Sequence, residues 1–538
     1  MADRQDNAHD TILDRIVAAT RADLAERHAR IPLDELRERA AAAPAPRRFA
    51  TALRPRGETS ARLIAEVKRA SPSKGLIAET FDPVAQSQAY ERGGAAAISV
   101  LTEPRFFAGS LEHLAAVRSA VSLPVLRKDF IFDPYQVYEG RAAGADALLL
   151  ICALLDDIQL DRLLALSRSL GMEALIEAHD ADEVRRAVAA GARVIGVNSR
   201  DLRTFAVDTD IVRMLRPLVP NDGVFVAESG IADALGAARA RAFGADTILV
   251  GEALMRAADP EAKARELATA SGGGAIHAFF AGAHRPFVKL CGLTMPEQLR
   301  LAAELGADAY GLVFAPQAPD HRRVTPDAAR ELTRRAGHRR ASSALPKPSN
   351  FTAPLPAGKG VGGEVRAVGV FVNEEPRIIS QIAEHIGLDA IQLSGDETPE
   401  ECVEVARLTG RIIIKAVRPR SEADLDALDA YALAGAVLLV DTPKTGEVSG
   451  DHGYGGHGKA GNWQLASILA RRWPIILAGG LTPENVADAI AAVQPRGVDV
   501  SSGVESVSQG GARAKDPDKI ARFVAAARNA NPAQRSDS

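Results

Sequence analysis

Residues Ile64–Gly75, with the sequence IAEVKRASPSKG, read as a short buried strand that runs into a polar loop. Side chains two positions apart in a strand point to the same face, so Glu66 and Lys68 are predicted to lie side by side where this strand ends. The loop that follows contributes Ser71. An isolated Glu-x-Lys is most often a solvated pair on an edge strand, and only the repetition of this design along the chain favours a site instead.

Short β-rich runs alternate with amphipathic helices eight times in the first half of the chain. The predicted strands are Leu63–Val67, Ala96–Leu101, Val125–Arg127, Ala147–Ile151, Ala174–Glu177, Val194–Asn198, Val224–Ala227 and Thr247–Val250. Eight such units in about 200 residues predict a closed (β/α)8 barrel. Helices are predicted ahead of it at residues 11–28, with Thr11 and Asp14 in a capping box, and at Leu33–Ala43.

The same alternation begins again after Pro286. The predicted strands of the second half are Phe287–Leu290, Ala309–Phe314, Val365–Phe371, Ala390–Leu393, Ile412–Lys415, Val437–Val440, Ile475–Ala478 and Val498–Val500. We therefore predict an α/β protein with two tandem (β/α)8 TIM barrels, the first of which carries an N-terminal helical extension.

Changes in composition mark the predicted domain boundaries. Residues 1–270 are predicted to form the first domain and residues 286–530 the second, joined by a flexible Gly/Ser-rich linker at 271–285. Residues 337–363 are rich in Pro, Gly and Ser and lack periodicity, so a disordered insertion is expected there. The tail, residues 531–538, is expected to be frayed.

The overall composition excludes several classes of function. A net charge of -4 offers no basic surface for nucleic acid or an anionic membrane. Three cysteines are too few for a disulfide framework and suit a reducing compartment. The first residues do not resemble a signal peptide, and the most apolar run, Ala147 to Leu155, is too short to span a bilayer. We expect a cytoplasmic, monomeric enzyme that acts on small molecules.

The active site of such a barrel lies at the C-terminal ends of its strands. In the first half, six strands end on polar or glycine residues: Glu66 and Lys68, Lys128-Asp129, Glu177, Asn198 and Arg200, Glu228-Ser229-Gly230, and Gly251-Glu252. Lysines and carboxylates that converge on one mouth shift one another's pKa values, as acid–base catalysis requires. The Ser229-Gly230 and Gly251 loops suit a phosphate, because bare backbone N–H groups face the anion there.

Five motifs of the first half, IAEVKRASPSKG, SVLTEP, LRKDFIFDPYQVYE, NSRDL and ESGI, resemble those of indole-3-glycerol-phosphate synthases over residues 10–270. The resemblance implies ring closure, decarboxylation and dehydration of a carboxyphenylamino-deoxyribulose phosphate. It implies Lys128 as general acid, Glu177 as general base, and Lys68, paired with Glu66, as a second acid. It further implies that Asn198 orients the substrate, that Arg200 and Lys68 hold the anthranilate carboxylate, and that the phosphate is bound by Ser71, Ser229, Gly230 and Gly251.

In the second half, the strand ends carry a different chemistry. VKLCGLT places Cys291 at the first strand end, and LLVDTP places Asp441 at the sixth. A thiol and a carboxylate across a phosphosugar pocket suit proton abstraction from carbon and proton donation to a ring oxygen. The other cysteines, Cys152 and Cys402, are interpreted as small buried hydrophobes.

The motifs KLCGLT, GVFVN, VDTP, GGHGKAGNW, LAGGLTPENV and DVSSGVES resemble those of phosphoribosylanthranilate isomerases over residues 286–530. The resemblance implies an Amadori rearrangement in which Asp441 protonates the furanose oxygen and Cys291 removes the C2 proton. It implies that Arg322 binds the anthranilate carboxylate. The phosphate loops would be formed by Gly479, Gly480, Ser501, Ser502 and Gly503.

Two departures from this family's pattern stand near the implied site. Ser394 replaces a histidine that contacts substrate, and Asp320-His321 replaces Ser-Pro ahead of Arg322. No cofactor is implied, and no cluster has metal-ligand spacing. His452 and His457, in a glycine-rich loop, are interpreted as lid residues.

The isomerase product is the synthase substrate, so the simplest interpretation is a bifunctional enzyme of tryptophan biosynthesis. Two alternatives stay open. The isomerase barrel could be inactive because of Ser394, or both barrels could form a phosphate-binding scaffold without turnover. A histidine-pathway isomerase of similar fold is disfavoured for the second barrel, because such enzymes use paired aspartates where this chain has Cys291 and Asp441.

Overall fold

The computed structural model describes residues 11–55, 60–72, 74–77, 81–201, 206–270, 272–281, 283, 286–337, 365–441, 463–508 and 511–530. The chain divides into two compact units, one ending at Ala270 and the other beginning at Ser271. The predicted insertion from residue 338 onward, His452 and His457, and the tail at 531–538 lie outside the described residues.

The first unit contains a closed barrel of eight parallel strands. These are Arg62–Val67, Ala97–Leu101, Val125–Lys128, Ala147–Ile151, Glu173–Ala178, Val194–Asn198, Val224–Glu228 and Thr247–Val250. Each strand pairs with the next one along the chain, and the first pairs with the eighth, with Arg62 opposite Thr247. The predicted (β/α)8 barrel is therefore confirmed.

Helices cover the outside of this barrel. Those that follow the strands are Pro83–Arg92, Leu111–Ala120, Pro134–Ala142, Asp157–Ser169, Ala181–Ala189, Asp210–Leu215, Ala234–Ala242, Glu252–Met255 and Pro260–Ala268. Several begin with an Asp-Pro pair, such as Asp82-Pro83. The aspartate carboxylate accepts hydrogen bonds from the free backbone N–H groups of the first turn, and the proline ring restricts φ to a helical value. The side chains between helices and strands form the main apolar core.

The N-terminal extension consists of the helices Ile12–Arg30 and Leu33–Ala42. Thr11 and Asp14 form the predicted capping box, with each side chain accepting the other residue's backbone N–H. Tyr135, on a barrel helix, donates its hydroxyl hydrogen to the end of the first of these helices, where the acceptors are the carbonyls of Arg27 and Ile31. The extension therefore packs on the barrel.

The second unit repeats the architecture. Its barrel strands are Phe287–Cys291, Ala309–Val313, Arg366–Phe371, Ala390–Leu393, Ile412–Val417, Val437–Asp441, Ile476–Ala478 and Gly497–Val500. Its helices are Pro296–Glu304, Pro326–Arg335, Pro376–Ile386, Pro399–Thr409, Leu425–Leu433, Trp463–Arg472, Val486–Val493 and Pro517–Asn529. The barrel closes between its first and eighth strands, with Phe287 opposite Gly497. Predicted strand ends differ from the observed ones by one or two residues.

A short helix lies against the N-terminal end of each barrel. In the first unit this helix is Phe49–Leu53, and its Leu53 carbonyl accepts a hydrogen bond of 2.7 Å from Thr247, the first residue of the eighth strand. In the second unit it is Gly273–Phe280, whose Phe279 and Phe280 pack against Phe287 at the start of the first strand.

The helix Gly273–Phe280 corrects the prediction of a flexible linker at 271–285. The glycines at its start predict flexibility, but Ile276, Phe279 and Phe280 are buried. Burial of these three apolar side chains stabilises the folded state by about 1.5–3 kcal/mol each. This gain outweighs the conformational entropy lost when the glycines are ordered. Among the described residues, no helix combines the length and apolarity needed to cross a membrane.

Replacement of Phe279 tests whether this helix is part of the second barrel. We expect Phe279→Ala to lower the unfolding free energy of the second unit by about 3–5 kcal/mol, because it leaves a cavity under the barrel. Both tryptophans of the chain, Trp463 and Trp473, lie in this unit, so their fluorescence during urea unfolding reports on it. The exposed Val403→Ala is the control and should change stability by less than about 0.5 kcal/mol. If the urea unfolding curves of the two variants coincide, the segment does not contribute to the stability of the second barrel and acts as a linker.

Candidate active sites

Two lysine–glutamate pairs meet at the carboxyl ends of the strands of the first barrel. Lys68 Nζ lies 2.7 Å from Glu66 Oε1. Lys128 Nζ lies 3.1 Å from Glu177 Oε2 and 3.8 Å from Glu228 Oε2. The three carboxylates are buried, whereas the lysine side chains are 18% and 16% exposed. The mouth thus combines two cations with three carboxylates in a largely dry setting.

The pKa values of these groups are pushed apart. Burial raises the pKa of Glu228 well above its usual range, and the neighbouring Glu177 carboxylate adds to this effect. Burial also acts to raise the pKa of Glu177, but Lys128 and His179 outweigh it and the pKa is lowered. Burial opposes the charge of Lys128, yet the carboxylates around it raise its pKa. These three neighbouring groups therefore differ widely in pKa, as an acid–base site requires.

The orientation of Glu177 is set by its second oxygen. Asn198 Nδ2 donates a hydrogen bond of 3.1 Å to Glu177 Oε1, and His179 Nε2 lies 3.5 Å from the same atom. Arg200, predicted to bind a carboxylate, donates its backbone N–H to Asn198 Oδ1 at 3.0 Å. His179 was missed by sequence reasoning, although it stands two residues after Glu177, as Lys68 stands two after Glu66.

Glycines make room for these carboxylates. A Cβ on Gly196 would lie 2.1 Å from Glu228 Oε1, and a Cβ on Gly251 would lie 2.5 Å from Glu66 Oε1. Real Cβ atoms do not approach other atoms so closely, so the glycines at these two positions leave room for the carboxylates of Glu228 and Glu66. Gly251, predicted only as a phosphate ligand, therefore also borders the Glu66–Lys68 pair.

The predicted phosphate loops of both barrels share a backbone conformation after the seventh strand. Ser229 and Gly230 have φ values of 65° and 76°, and Gly479 and Gly480 have values of 82° and 66°. Positive φ is unfavourable for serine, by about 1–3 kcal/mol, and such strain concentrates at functional sites. Ser71 lies in a small hairpin, paired with Gly75.

The mouth of the second barrel contains a cavity. The predicted residues that line it are Cys291, Arg322, Asp441, Gly479, Gly480, Ser501 and Ser502. Gly503 does not line the cavity: a Cβ there would lie 1.8 Å from the Leu481 carbonyl oxygen, so this glycine serves close backbone packing. Ser394, Arg418 and Asp499 line the cavity in addition.

Cys291 and Asp441 stand on different strands of this cavity, the first and the sixth. Burial raises the pKa of the Cys291 thiol, and Lys289 beneath it partly offsets this effect. Asp441 Oδ2 lies 3.2 Å from Arg418 Nε, and the same guanidinium donates to the Ser394 carbonyl at 3.3 Å. Among the described residues, no group of three or more His, Cys, Asp or Glu side chains could hold a metal ion.

Arg322 is engaged by a carboxylate of the protein itself. Its Nε and Nη2 donate to the two oxygens of Glu505 at 2.6 and 2.8 Å. Lys515 Nζ lies 3.0 Å from Glu505, and His321 Nε2 lies 3.4 Å away. A guanidinium has five N–H donors, so this bidentate pair orients Arg322 without using its full capacity. Glu505 belongs to the DVSSGVES motif but was not selected from the sequence.

Comparison with known proteins assigns a family to each unit. The family model "Indole-3-glycerol phosphate synthase" matches residues 13–267, and the model "N-(5'phosphoribosyl)anthranilate (PRA) isomerase" matches residues 359–526. An indole-3-glycerol phosphate synthase of Roseiflexus sp. (strain RS-1) is 54% identical over 266 residues, which cover 48% of this chain and 98% of that protein.

Relatives also match the chain across both units or through the second alone. A "Multifunctional tryptophan biosynthesis protein" of Schizosaccharomyces pombe is 38% identical over 480 residues, 86% of this chain, and the chain spans only 59% of that protein's length. A solved phosphoribosyl anthranilate isomerase from Thermotoga maritima is 37% identical, covers 45% of this chain and 98% of its own, and gives a TM-score of 0.34.

The Glu505 cluster should stabilise the second unit in a pH-dependent manner. Burial acts to raise the pKa of Glu505, but Arg322 and Lys515 outweigh it and lower the value to about 2. A depressed carboxyl pKa stabilises the fold above the unfolded pKa, about 4.3, and this stabilisation is lost as the pH falls toward the folded value. Glu505→Gln should therefore lower the unfolding free energy by about 2–3 kcal/mol at pH 7, with a deficit that narrows below about pH 4.

Urea unfolding followed by tryptophan fluorescence at a series of pH values measures this deficit. The control is Glu484→Gln, which removes an exposed ion pair with Arg522 and should cost less than about 1 kcal/mol at any pH. A Glu505→Gln deficit that stays constant down to pH 3 would contradict the electrostatic account.

Proposed function

Because the chain belongs to the families of indole-3-glycerol phosphate synthases and N-(5'-phosphoribosyl)anthranilate isomerases, we propose that it is a bifunctional enzyme of tryptophan biosynthesis. Its second barrel would isomerise N-(5-phosphoribosyl)anthranilate, and its first barrel would convert the product to indole-3-glycerol phosphate. The observation that carries the proposal is that each mouth gathers a complete acid–base pair: Lys128 with Glu177 in one barrel, and Cys291 with Asp441 in the other.

In the proposed synthase reaction, Lys128 is the acid and Glu177 the base. Lys128 is charged at neutral pH, so it offers a cationic donor to the ketone oxygen as the anthranilate ring carbon attacks the carbonyl carbon. Loss of carbon dioxide then neutralises the ring, and the former ketone oxygen leaves as water. Glu177 is held as a carboxylate, so it can accept the ring proton released in the last step.

Lys68 has two proposed tasks in the same mouth. Its ammonium, held by Glu66 at 2.7 Å, faces the region that Lys128 also borders, where it can hold the anthranilate carboxylate together with Arg200. Once that carboxylate has left as carbon dioxide, the ammonium can donate to the departing hydroxyl as a second acid. In this proposal one lysine donates the proton for ring closure and the other donates the proton for dehydration.

In the proposed isomerase reaction, Asp441 and Cys291 act in succession. Asp441 donates a proton to the furanose ring oxygen, the C1–O bond breaks, and the anthranilate nitrogen forms a Schiff base with C1. Cys291 as a thiolate then removes the C2 proton, and the C–H electron pair moves toward the iminium nitrogen to give an enolamine that becomes the ketone. Arg322, oriented by Glu505, would bind the anthranilate carboxylate.

The paired positive-φ residues after the seventh strand support a phosphate site in each mouth. Backbone N–H groups at such a turn are not used by a strand or helix, and they can converge on one anion. The proposed ligands in the first barrel are Ser71, Ser229, Gly230 and Gly251. In the second barrel they are Gly479, Gly480, Ser501 and Ser502.

The inactive-isomerase alternative rests on Ser394. This residue lines the cavity and accepts a hydrogen bond of 3.1 Å from Gln392, while the guanidinium of Arg418 lies beside its carbonyl. A cationic donor therefore remains next to the position where the family has a histidine, which favours an active barrel. That the protein works as a monomer in the cytoplasm also remains a proposal.

Single substitutions should separate the two activities. We expect Lys128→Ala to lower kcat of the synthase reaction by about 10²–10⁴-fold and to leave the isomerase reaction unchanged, and Cys291→Ala to do the reverse. Each reaction is assayed on the purified full chain, with phosphoribosylanthranilate for one and its isomerised product for the other. The control is Cys402→Ala, which changes a buried cysteine on the helix Pro399–Thr409 that does not line the cavity. A wild-type protein without isomerase turnover would leave the monofunctional alternative.

Replacement of Lys68 tests the division of labour between the lysines. Lys68→Ala should lower synthase kcat by about 10²-fold or more, because Glu66 is then left unpaired in the mouth and the second acid is lost. Lys263→Ala, which removes an ion pair with Glu266 on an outer helix, should leave kcat unchanged. Equal synthase activity in both variants would remove Lys68 from the proposed mechanism, and isomerase activity serves as an internal reference.

A further inference from the structure

The cavity of the second barrel rests on a buried ion pair that the mechanism above does not use. Lys289 and Cys291 are two apart on the first strand, so their side chains share the inward face. Lys289 is fully buried, and its Nζ lies 3.0 Å from Asp499 Oδ2 on the neighbouring eighth strand. Lys289 and Asp499 are direct partners in the register of these two strands.

The ammonium of Lys289 also lies near the thiol of Cys291. Burial raises the pKa of Cys291, and the charge of Lys289 acts to lower it. Gly311, on the second strand, borders both groups: a Cβ there would lie 2.8 Å from Cys291 Sγ and 3.3 Å from Lys289 Nζ. Any larger residue at that position would collide with the sulfur, so the glycine leaves room for the thiol and the ammonium together.

The second oxygen of Asp499 is unusual. The Asp499 side chain is only 9% exposed. Its Oδ1 is buried and has no hydrogen-bond partner among the described residues. The residue lines the same cavity as Cys291. An unsatisfied buried carboxylate oxygen costs free energy, which natural proteins retain mostly where function requires it.

We propose that Lys289, held in place by Asp499, is a positioning residue that stabilises the thiolate of Cys291 for proton abstraction. The ammonium is the counter-ion that a thiolate needs in a buried site, and Asp499 prevents it from turning away. In this proton abstraction, the S–H bond of Cys291 forms as the C2–H bond of the substrate breaks, and the C–H electron pair passes to the iminium. The catalytic part of this inference rests on the proposed isomerase function, but the effect on the thiol does not.

Other charges face the thiol as well, and they set the expected size of the effect. Lys515 lowers the pKa of Cys291 and Asp499 raises it, while Lys289 is the strongest lowering influence after burial has raised it. The remaining charged side chains that line the cavity are Arg322, Arg418 and Asp441. The substitutions below leave Lys515, Arg322, Arg418 and Asp441 unchanged. A shift in the reactivity of the thiol therefore reports on the ion pair of Lys289 and Asp499.

The test is the alkylation of Cys291 by iodoacetamide in the full chain as a function of pH, followed by mass spectrometry of the peptide. Only the thiolate reacts, displacing iodide as the S–C bond forms, so the midpoint of the rate profile reports ionisation without any turnover. We expect Lys289→Met to move the midpoint upward by at least about one pH unit, which is a tenfold slower reaction at about pH 7.5.

A matched control and a second variant keep the test decisive. Lys415→Met removes another buried lysine of the same barrel, paired with Glu397 at 2.7 Å, and should leave the Cys291 midpoint unchanged. Lys289→Met leaves Asp499 buried without its partner and can fail to fold. The double variant Lys289→Met/Asp499→Asn leaves no lone buried charge, and its midpoint should also rise, by less than in the single variant.

The outcomes separate this inference from the proposed function. An unchanged midpoint in either folded variant overturns the inference, whatever the enzyme does. A raised midpoint with a matching upward shift of the acid limb of isomerase kcat, and with KM and synthase activity unchanged, supports both. If the wild-type protein shows no isomerase turnover, the isomerase function is refuted, and a raised midpoint in the variants still supports the effect of Lys289 on the thiol.

Discussion

The hydrogen bonding between the first and the eighth strand of each barrel is the constraint on which both sites depend. Closure sends the carboxyl ends of all eight strands to one rim, because the strands are parallel. Side chains far apart in sequence then meet at contact distance. Lys289 and Asp499 are separated by 210 positions and lie 3.0 Å apart. Without closure, each polar strand end would be a solvated residue with an ordinary pKa.

Burial of charge is the second theme that the two barrels share. A lone buried ion is very costly, so each mouth arranges its charges in pairs and clusters. In the first barrel, Lys128 lies near both Glu177 and Glu228. Its charge helps to lower the pKa of Glu177, whereas burial and the Glu177 charge raise the pKa of Glu228. In the second barrel, Glu505 holds Arg322 with both oxygens. The same pairing that makes burial tolerable also creates the acids and bases that catalysis requires.

The strand ends were predictable because two simple periodicities define them. Helical and strand patterns alternate along the chain, and residues two apart on a strand share a face, which is why Glu66 and Lys68 form the pair expected of them. The helix Gly273–Phe280 was not predictable from local composition, since its stability comes from packing on Phe287. Nor could the sequence indicate that Arg322 is already bound by Glu505, 183 positions away.

The sequence alone determined the two barrels, their order and many of the polar residues at their mouths, since these follow from local hydrophobic periodicity and from the position of each residue relative to a strand end. The tertiary structure decided which of those residues touch, which carboxyl group has a raised pKa and which a lowered one, and that Lys289 and Asp499 lie beneath Cys291. Those properties depend on distance and burial between elements remote in sequence, and an electrostatic interaction that falls with distance and grows with desolvation has no local signature in the chain.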